Sequence, residues 1–136
     1  MLLPNLAILV VDDQQPMRKT IAYILRQAGL RNIDFAEDGE EAWRSLNHGS
    51  FDLVLLDWNM PRMSGLELLG RIRQSEEYGN LPVVMITAEA NEEHVLAAIN
   101  AGVTNYIVKP FAPDTLLKKM REALDRARRV KASPAW

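Results

Sequence analysis

Short runs of Val, Ile and Leu alternate along the chain with segments whose apolar residues recur at helical spacing. Residues 6–11 form a continuous apolar run, the pattern of a strand buried on both faces. Met17, Ile21, Ile24, Leu25 and Ala28 follow at helical spacing, with Pro16 at the start and Gly29 at the end, the residues that open and close helices. The same alternation predicts strands at 33–35, 53–56, 83–86 and 106–108. Helices are predicted at 40–47, around Leu66, Leu69 and Ile72, and around Val95, Leu96 and Ile99 up to Gly102. A last helix carries Leu116, Met120, Ala123 and Ala127, opened by Pro113 and Asp114. Five strands alternating with five helices read as an α/β domain with a parallel sheet covered on both faces. Short connections and right-handed crossovers restrict its topology.

In an open parallel sheet, ligands bind beyond the carboxyl ends of the strands. Strand one ends in Asp12 and Asp13, strand three in Asp57, strand four in Thr87, and strand five runs into Lys109. A single Asp in such a place serves as readily to cap the next helix. Five polar residues on four strand ends favour a shared site instead. Two like charges ~4 Å apart repel by about 4 kcal/mol at an effective dielectric of ~20. Clustered carboxylates therefore need a cation or a shifted protonation state. An all-oxygen donor set suits a hard ion, and Mg²⁺ uses one or two carboxylates with waters and phosphate oxygens. A carboxylate beside Mg²⁺ can attack phosphorus to form an acyl phosphate. Asp57 is the best placed nucleophile, on the central strand between the acid pair and the Thr87–Lys109 side. Lys109 and Thr87 would bind the phosphoryl oxygens.

Composition narrows the functional classes. The chain has 136 residues, 48% hydrophobic and 25% charged, with no cysteine, which predicts one globular domain and excludes disulfide scaffolds and thiolate chemistry. No apolar run approaches the ~20 residues of a membrane span, and the start lacks the features of a secretory signal. A cytoplasmic protein without membrane insertion is expected. The formal net charge of -2 gives no case for nucleic acid. Charge is uneven, with 8 basic and 15 acidic residues over 1–108 but 8 basic and 3 acidic over 109–136. That basic last helix is a solvated face or a steering surface for an acidic partner. His48 and His94 show no ligand spacing and are read as surface helix residues.

The ordered set Val10-Val11-Asp12-Asp13, Ala36-Glu37-Asp38-Gly39, Asp57-Trp58-Asn59-Met60-Pro61, Thr87-Ala88-Glu89-Ala90 and Val108-Lys109-Pro110-Phe111 resembles the receiver domain of bacterial response regulators, in particular the single-domain chemotaxis regulators. The resemblance covers about residues 6–130. It implies a flavodoxin-like doubly wound sheet with strand order 2-1-3-4-5, a receiver domain over 1–130 and a short tail at 131–136. It also implies Asp57 as phosphoacceptor, Mg²⁺ held by Asp13, Asp57 and the Asn59 backbone carbonyl with Asp12 in support, and Lys109 and Thr87 as phosphate-binding lysine and switch hydroxyl. Tyr106 would be the aromatic switch, Asn59 and Glu89 would tune the lifetime of the phosphoryl group, and Lys109–Pro110 would be cis.

As to partners, the resemblance implies a histidine kinase as donor, a phosphorylation-dependent target such as the flagellar motor switch, a possible phosphatase, and a monomeric signalling protein rather than an enzyme. Lys119 and Tyr106 match the chemotaxis pattern, while Asn91-Glu92-Glu93-His94 replaces its lysines near the fourth helix. A phosphorelay shuttle, or a receiver belonging to a hybrid kinase or transcription regulator, remains the alternative. An aspartyl-nucleophile phosphohydrolase would place an acid at position 59, where this chain has Asn59. A flavin carrier would want a Ser/Thr/Gly-rich loop after strand one, where this chain has Asp-Asp-Gln-Gln-Pro.

Overall fold

A computed structural model describes residues 4–132, with side chains described over 4–127. Its elements run β1 (Ile8–Val11), α1 (Gln15–Gln27), β2 (Ile33–Ala36), α2 (Gly39–His48), β3 (Leu53–Asp57), α3 (Gly65–Gln74), β4 (Val83–Thr87), α4 (Glu92–Asn100), β5 (Asn105–Val108) and α5 (Pro113–Ala132). The five strands form one sheet in the order β2-β1-β3-β4-β5, all pairs parallel. Both the flavodoxin-like fold and the strand order are as the resemblance implied. Helix α5 continues through Lys131 and Ala132, and residues 133–136 of the expected tail lie outside the described residues.

Alternate residues of a strand point to opposite faces, and the two cores follow that period of two. Ile8, Val10, Leu53, Leu55, Val84 and Ile86 pack with Ile21, Ile24 and Leu25 of α1 and Leu116, Met120 and Ala123 of α5. Leu9, Val11, Val54, Leu56, Val83 and Met85 pack on the other face with Ala42 and Leu46 of α2 and Leu68, Leu69 and Ile72 of α3. Since both faces are covered, the central strands are apolar at every position until their last residues. Each fully buried Leu or Ile contributes ~1.5–3 kcal/mol relative to exposure. This apolar slab leaves the strand ends as the place where polar chemistry can gather.

Three sequence expectations need correction. Strand β1 starts at Ile8, because the Ala7 backbone is taken by the loop before β3: Asp52 Oδ2 accepts from its N–H at 2.9 Å, and its carbonyl accepts from Asp52 N at 2.8 Å. Leu6 is buried but lies before the strand. Ala28, expected on the apolar face of α1, is instead its exposed C-cap, and the chain turns at Gly29 with φ 88° so that Leu30 fills the core.

Helix α4 departs most. Leu96 and Ile99, expected to face inward, are 49% and 58% exposed, and only Ala98 is buried. The turn after the helix sets its rotation. Arg73 donates to the Gly102 carbonyl at 2.7 Å and to Thr104 Oγ1 at 3.1 Å, while Arg126 of α5 donates to the Thr104 carbonyl at 2.6 Å. With Ala101 and Val103 held against the core, Ala98, one turn back, faces inward, and Leu96 and Ile99 face out.

Candidate functional site

Asp57 is the last residue of β3, Thr87 the last of β4, and Asp12 and Lys109 follow directly on β1 and β5. Because the strands are parallel and in register, the chain delivers all four to one edge. Carboxylate oxygens of Asp12, Asp13 and Asp57 lie within 4.8 Å of one another. Asp12 and Asp57 are buried, and Asp13 is exposed. Lys109 Nζ reaches over the pair, 3.3 Å from Asp12 Oδ2 and 3.2 Å from Asp57 Oδ1. The Lys109–Pro110 peptide bond is cis.

Asp12 also serves the start of α1. Its Oδ1 accepts from Gln14 N at 2.9 Å, and its carbonyl accepts from Arg18 at 2.6 Å. Helix α1 has no side-chain cap at Gln14, so the capping alternative for the acid pair accounts for one oxygen of Asp12 and for nothing at Asp13. Each of the three acids still offers one oxygen to the cluster.

The electrostatics are strained at Asp57. Burial, then the Asp12 charge, push its carboxyl up from 3.8 to about 6, with Lys109 pulling the other way and Asp13 adding to the rise. One ammonium between two buried carboxylates, with a third close by, leaves the site short of positive charge. A hard divalent cation bound through oxygen would supply it, and the donor set of three carboxylates fits such an ion. The site therefore has the chemistry to take a cation and a phosphoryl group next to a nucleophilic carboxylate.

Thr87 is buried, and its Oγ1 accepts from Glu89 N at 3.1 Å. The Tyr106 hydroxyl donates to the Glu89 carbonyl at 2.5 Å. The backbone of Glu89 is thus held at both ends, its N–H by Thr87 and its carbonyl by Tyr106. Tyr106 is half-buried against the core face that includes Trp58, Met60, Ala101 and Val103, and burial pushes its phenol up, with the Thr87 hydroxyl partly opposing.

Sequence reasoning missed two contacts around this edge. His94, read as a surface residue, packs its ring on Trp58 with centroids 5.0 Å apart, joining the start of α4 to the loop after Asp57. Arg62 lies at φ 68° and pairs with Asp38. Nothing in the residue pattern announces an Arg at positive φ, since Gly or Asn usually fills such places. Asp38 caps α2, its Oδ1 accepting from Glu41 N at 2.8 Å. Arg126 of the basic last helix is engaged with the Thr104 carbonyl.

Residues 8–121 match the family described as the response regulator receiver domain. The chain is 48% identical over 122 residues to chemotaxis protein CheY-3 of Vibrio cholerae, covering 90% of this chain and 94% of the relative. It is 43% identical over 119 residues to chemotaxis protein CheY of Pseudomonas aeruginosa, covering 88% and 96%. Among solved structures, the chemotaxis response regulator CheY4 of Vibrio cholerae superposes with a TM-score of 0.82 at 34% identity, over 88% of this chain and 98% of that one. A protein of Chloroflexus aurantiacus described as a putative response regulator gives 0.85 at 30% identity, over 90% and 99%.

Proposed function

Because the chain belongs to the response regulator receiver domain family, whose members act in two-component signalling, we propose that it is a phosphorylation-activated, chemotaxis-type regulator with Asp57 as its phosphoacceptor. Receiver domains bind Mg²⁺ at an acidic pocket and interact with histidine kinases and downstream targets. The observation that carries the reading is the bridge of Lys109 Nζ between Asp57 and Asp12, beside the three clustered carboxylates.

In this reading, an Asp57 oxygen attacks the phosphorus of a phosphohistidine on the kinase. A P–O bond forms, the P–N bond breaks, and the imidazole leaves with its electron pair. The elevated basicity of Asp57 makes it a better nucleophile than an ordinary carboxylate, while leaving it largely ionised near neutral pH. Asp12, Asp13, Asp57 and the Asn59 carbonyl would hold Mg²⁺, which when bound neutralises charge on the phosphoryl oxygens. Lys109 can swing from the carboxylates to a phosphoryl oxygen without leaving the site, as a mobile point charge. Burial of Asp57 keeps bulk water from the product.

Thr87 then couples chemistry to surface. A phosphoryl group on Asp57 adds charge and strong acceptors at the strand edge, and the Thr87 hydroxyl can donate to one of them. Moving Thr87 shifts its grip on the Glu89 N–H, and Tyr106 holds the carbonyl of the same residue. The change reaches a face formed by α4, β5 and α5, where Leu96, Ile99 and Val108 are exposed apolar residues. Those three side chains suit a partner that brings an apolar anchor, and the basic residues Lys118 and Lys119 of α5 favour acidic groups on it. The effect is a population shift, and partner binding favours phosphorylation in return.

Incubation with acetyl phosphate, followed by intact-protein mass spectrometry, tests the acceptor. One phosphoryl adduct is expected with Mg²⁺, none after chelation, and none in Asp57→Asn. An adduct that persists in that variant would move the acceptor elsewhere.

A further inference from the structure

The loop between β3 and α3 carries Asn59, and it is fastened at both ends. At its base the Gly65 N–H donates to the Trp58 carbonyl at 2.8 Å, and a Cβ on Gly65 would lie 2.1 Å from the Asp57 carbonyl oxygen. Only glycine allows this approach, so α3 begins in contact with the backbone of the acceptor residue. At its outer end the Met63 N–H donates to the Pro61 carbonyl at 2.8 Å, with Arg62 between them at φ 68°. A three-residue turn with positive φ at its centre is rare and strained, and arginine is ill suited to it.

Two contacts hold this turn against the β2–α2 connection. The Arg62 guanidinium donates through Nε to Asp38 Oδ2 at 3.0 Å and through a second N–H to the same oxygen. Asp38 is buried, and both Arg62 and the Glu41 N–H hold its carboxyl below the usual range, the latter more strongly. Behind the pair, Met63 is buried against Gly39, where an added Cβ would come within 2.6 Å of the Met63 Cβ and 2.8 Å of its carbonyl oxygen. The Arg62 side chain is itself 68% exposed, so the pairing is not forced on it by burial.

We propose that the Arg62–Asp38 pair is a positioning clamp that fixes the loop bearing Asn59 and thereby sets Mg²⁺ affinity at the Asp12–Asp13–Asp57 cluster. This rests on the reading that the Asn59 carbonyl is a metal ligand. With Trp58 and Gly65 pinned, the freedom of the loop lies between Asn59 and Met63. Releasing Arg62 lets its backbone relax to negative φ, and the Asn59 carbonyl moves with the turn. The clamp acts on the ligand through the backbone, as groups behind metal ligands do, and loss of such groups typically lowers metal affinity ~10–100-fold.

The test uses the full chain in two measurements. In metal-free protein, Asp38→Asn, which keeps an oxygen for the Glu41 N–H, and Arg62→Ala should each speed hydrogen exchange at the Met63 and Gly65 amides. In Mg²⁺ titrations followed by Trp58 fluorescence, both should raise Kd by roughly tenfold or more. Arg62→Lys should fall between them and wild type, and the double variant should be no weaker than the worse single one. Unchanged exchange and unchanged Kd in both single variants, with wild type binding Mg²⁺, would overturn the clamp. A wild type with no Mg²⁺ response would overturn the site reading instead, and unchanged exchange rates would then still refute the clamp.

Discussion

Asp57 destabilises the fold it serves, and the cost can be measured. Its carboxyl is pushed from 3.8 to about 6, chiefly by burial and then by the Asp12 charge. Between those values the folded protein holds a proton that the unfolded chain has released. Stability therefore falls as pH rises from about 4 to about 6 and stays lower above that. A rise of about two units corresponds to about 3 kcal/mol at ~1.4 kcal/mol per unit, fully present near pH 7. Asp57→Asn removes the charge and keeps an acceptor for Lys109, so it should recover up to about 3 kcal/mol at pH 7 and almost nothing at pH 4. Urea unfolding of both proteins in EDTA at half-unit steps from pH 4 to pH 8 gives the difference curve. It should climb through pH 5 and level off by about pH 7. A flat difference, or a variant less stable than wild type at pH 8, would refute the account of strain at Asp57. Added Mg²⁺ should stabilise wild type and shrink the gap, since a ligand that binds only the folded state adds to its stability.

The switch and the docking face yield two further expectations. Thr87→Ala should still accept the phosphoryl group but lose most of the phosphorylation-dependent NMR shift at Tyr106, and a full shift in that variant would show that the coupling bypasses Glu89. Ile99→Glu should leave stability within about 0.5 kcal/mol, as for a surface position. It should also weaken binding to a partner captured by the phosphorylated protein by at least about tenfold, as for an anchor worth more than ~1.4 kcal/mol. Undiminished binding would place the partner on another face.

The sheet was legible because runs such as Val83–Thr87 have one physical explanation, burial on both faces. The acid pair, Asp57, Thr87 and Lys109 were legible for a related reason, since a parallel sheet sends the residues after each apolar run to one edge. Helix α4 was not, because Val95, Leu96, Ala98 and Ile99 wrap most of the helix and their spacing does not say which side turns inward. That rotation is set by Arg73 and Arg126 at the Gly102–Thr104 turn, contacts that no local pattern encodes. The same holds for Arg62 and Asp38, 24 residues apart, and for the Trp58–His94 ring pair. Each joins segments that become neighbours only once the sheet has formed.

The central claim is that Asp57 forms an acyl phosphate, and the chemistry of that bond gives its most direct test. Borohydride reduces a carboxylic–phosphoric anhydride to the alcohol and leaves free carboxylates untouched, so a phosphorylated Asp becomes homoserine. After acetyl phosphate and Mg²⁺, reduction and peptide mapping should place homoserine at position 57 and at no other acid, Asp12 and Asp13 included. Homoserine at another position, or an adduct that borohydride does not convert, would contradict the account.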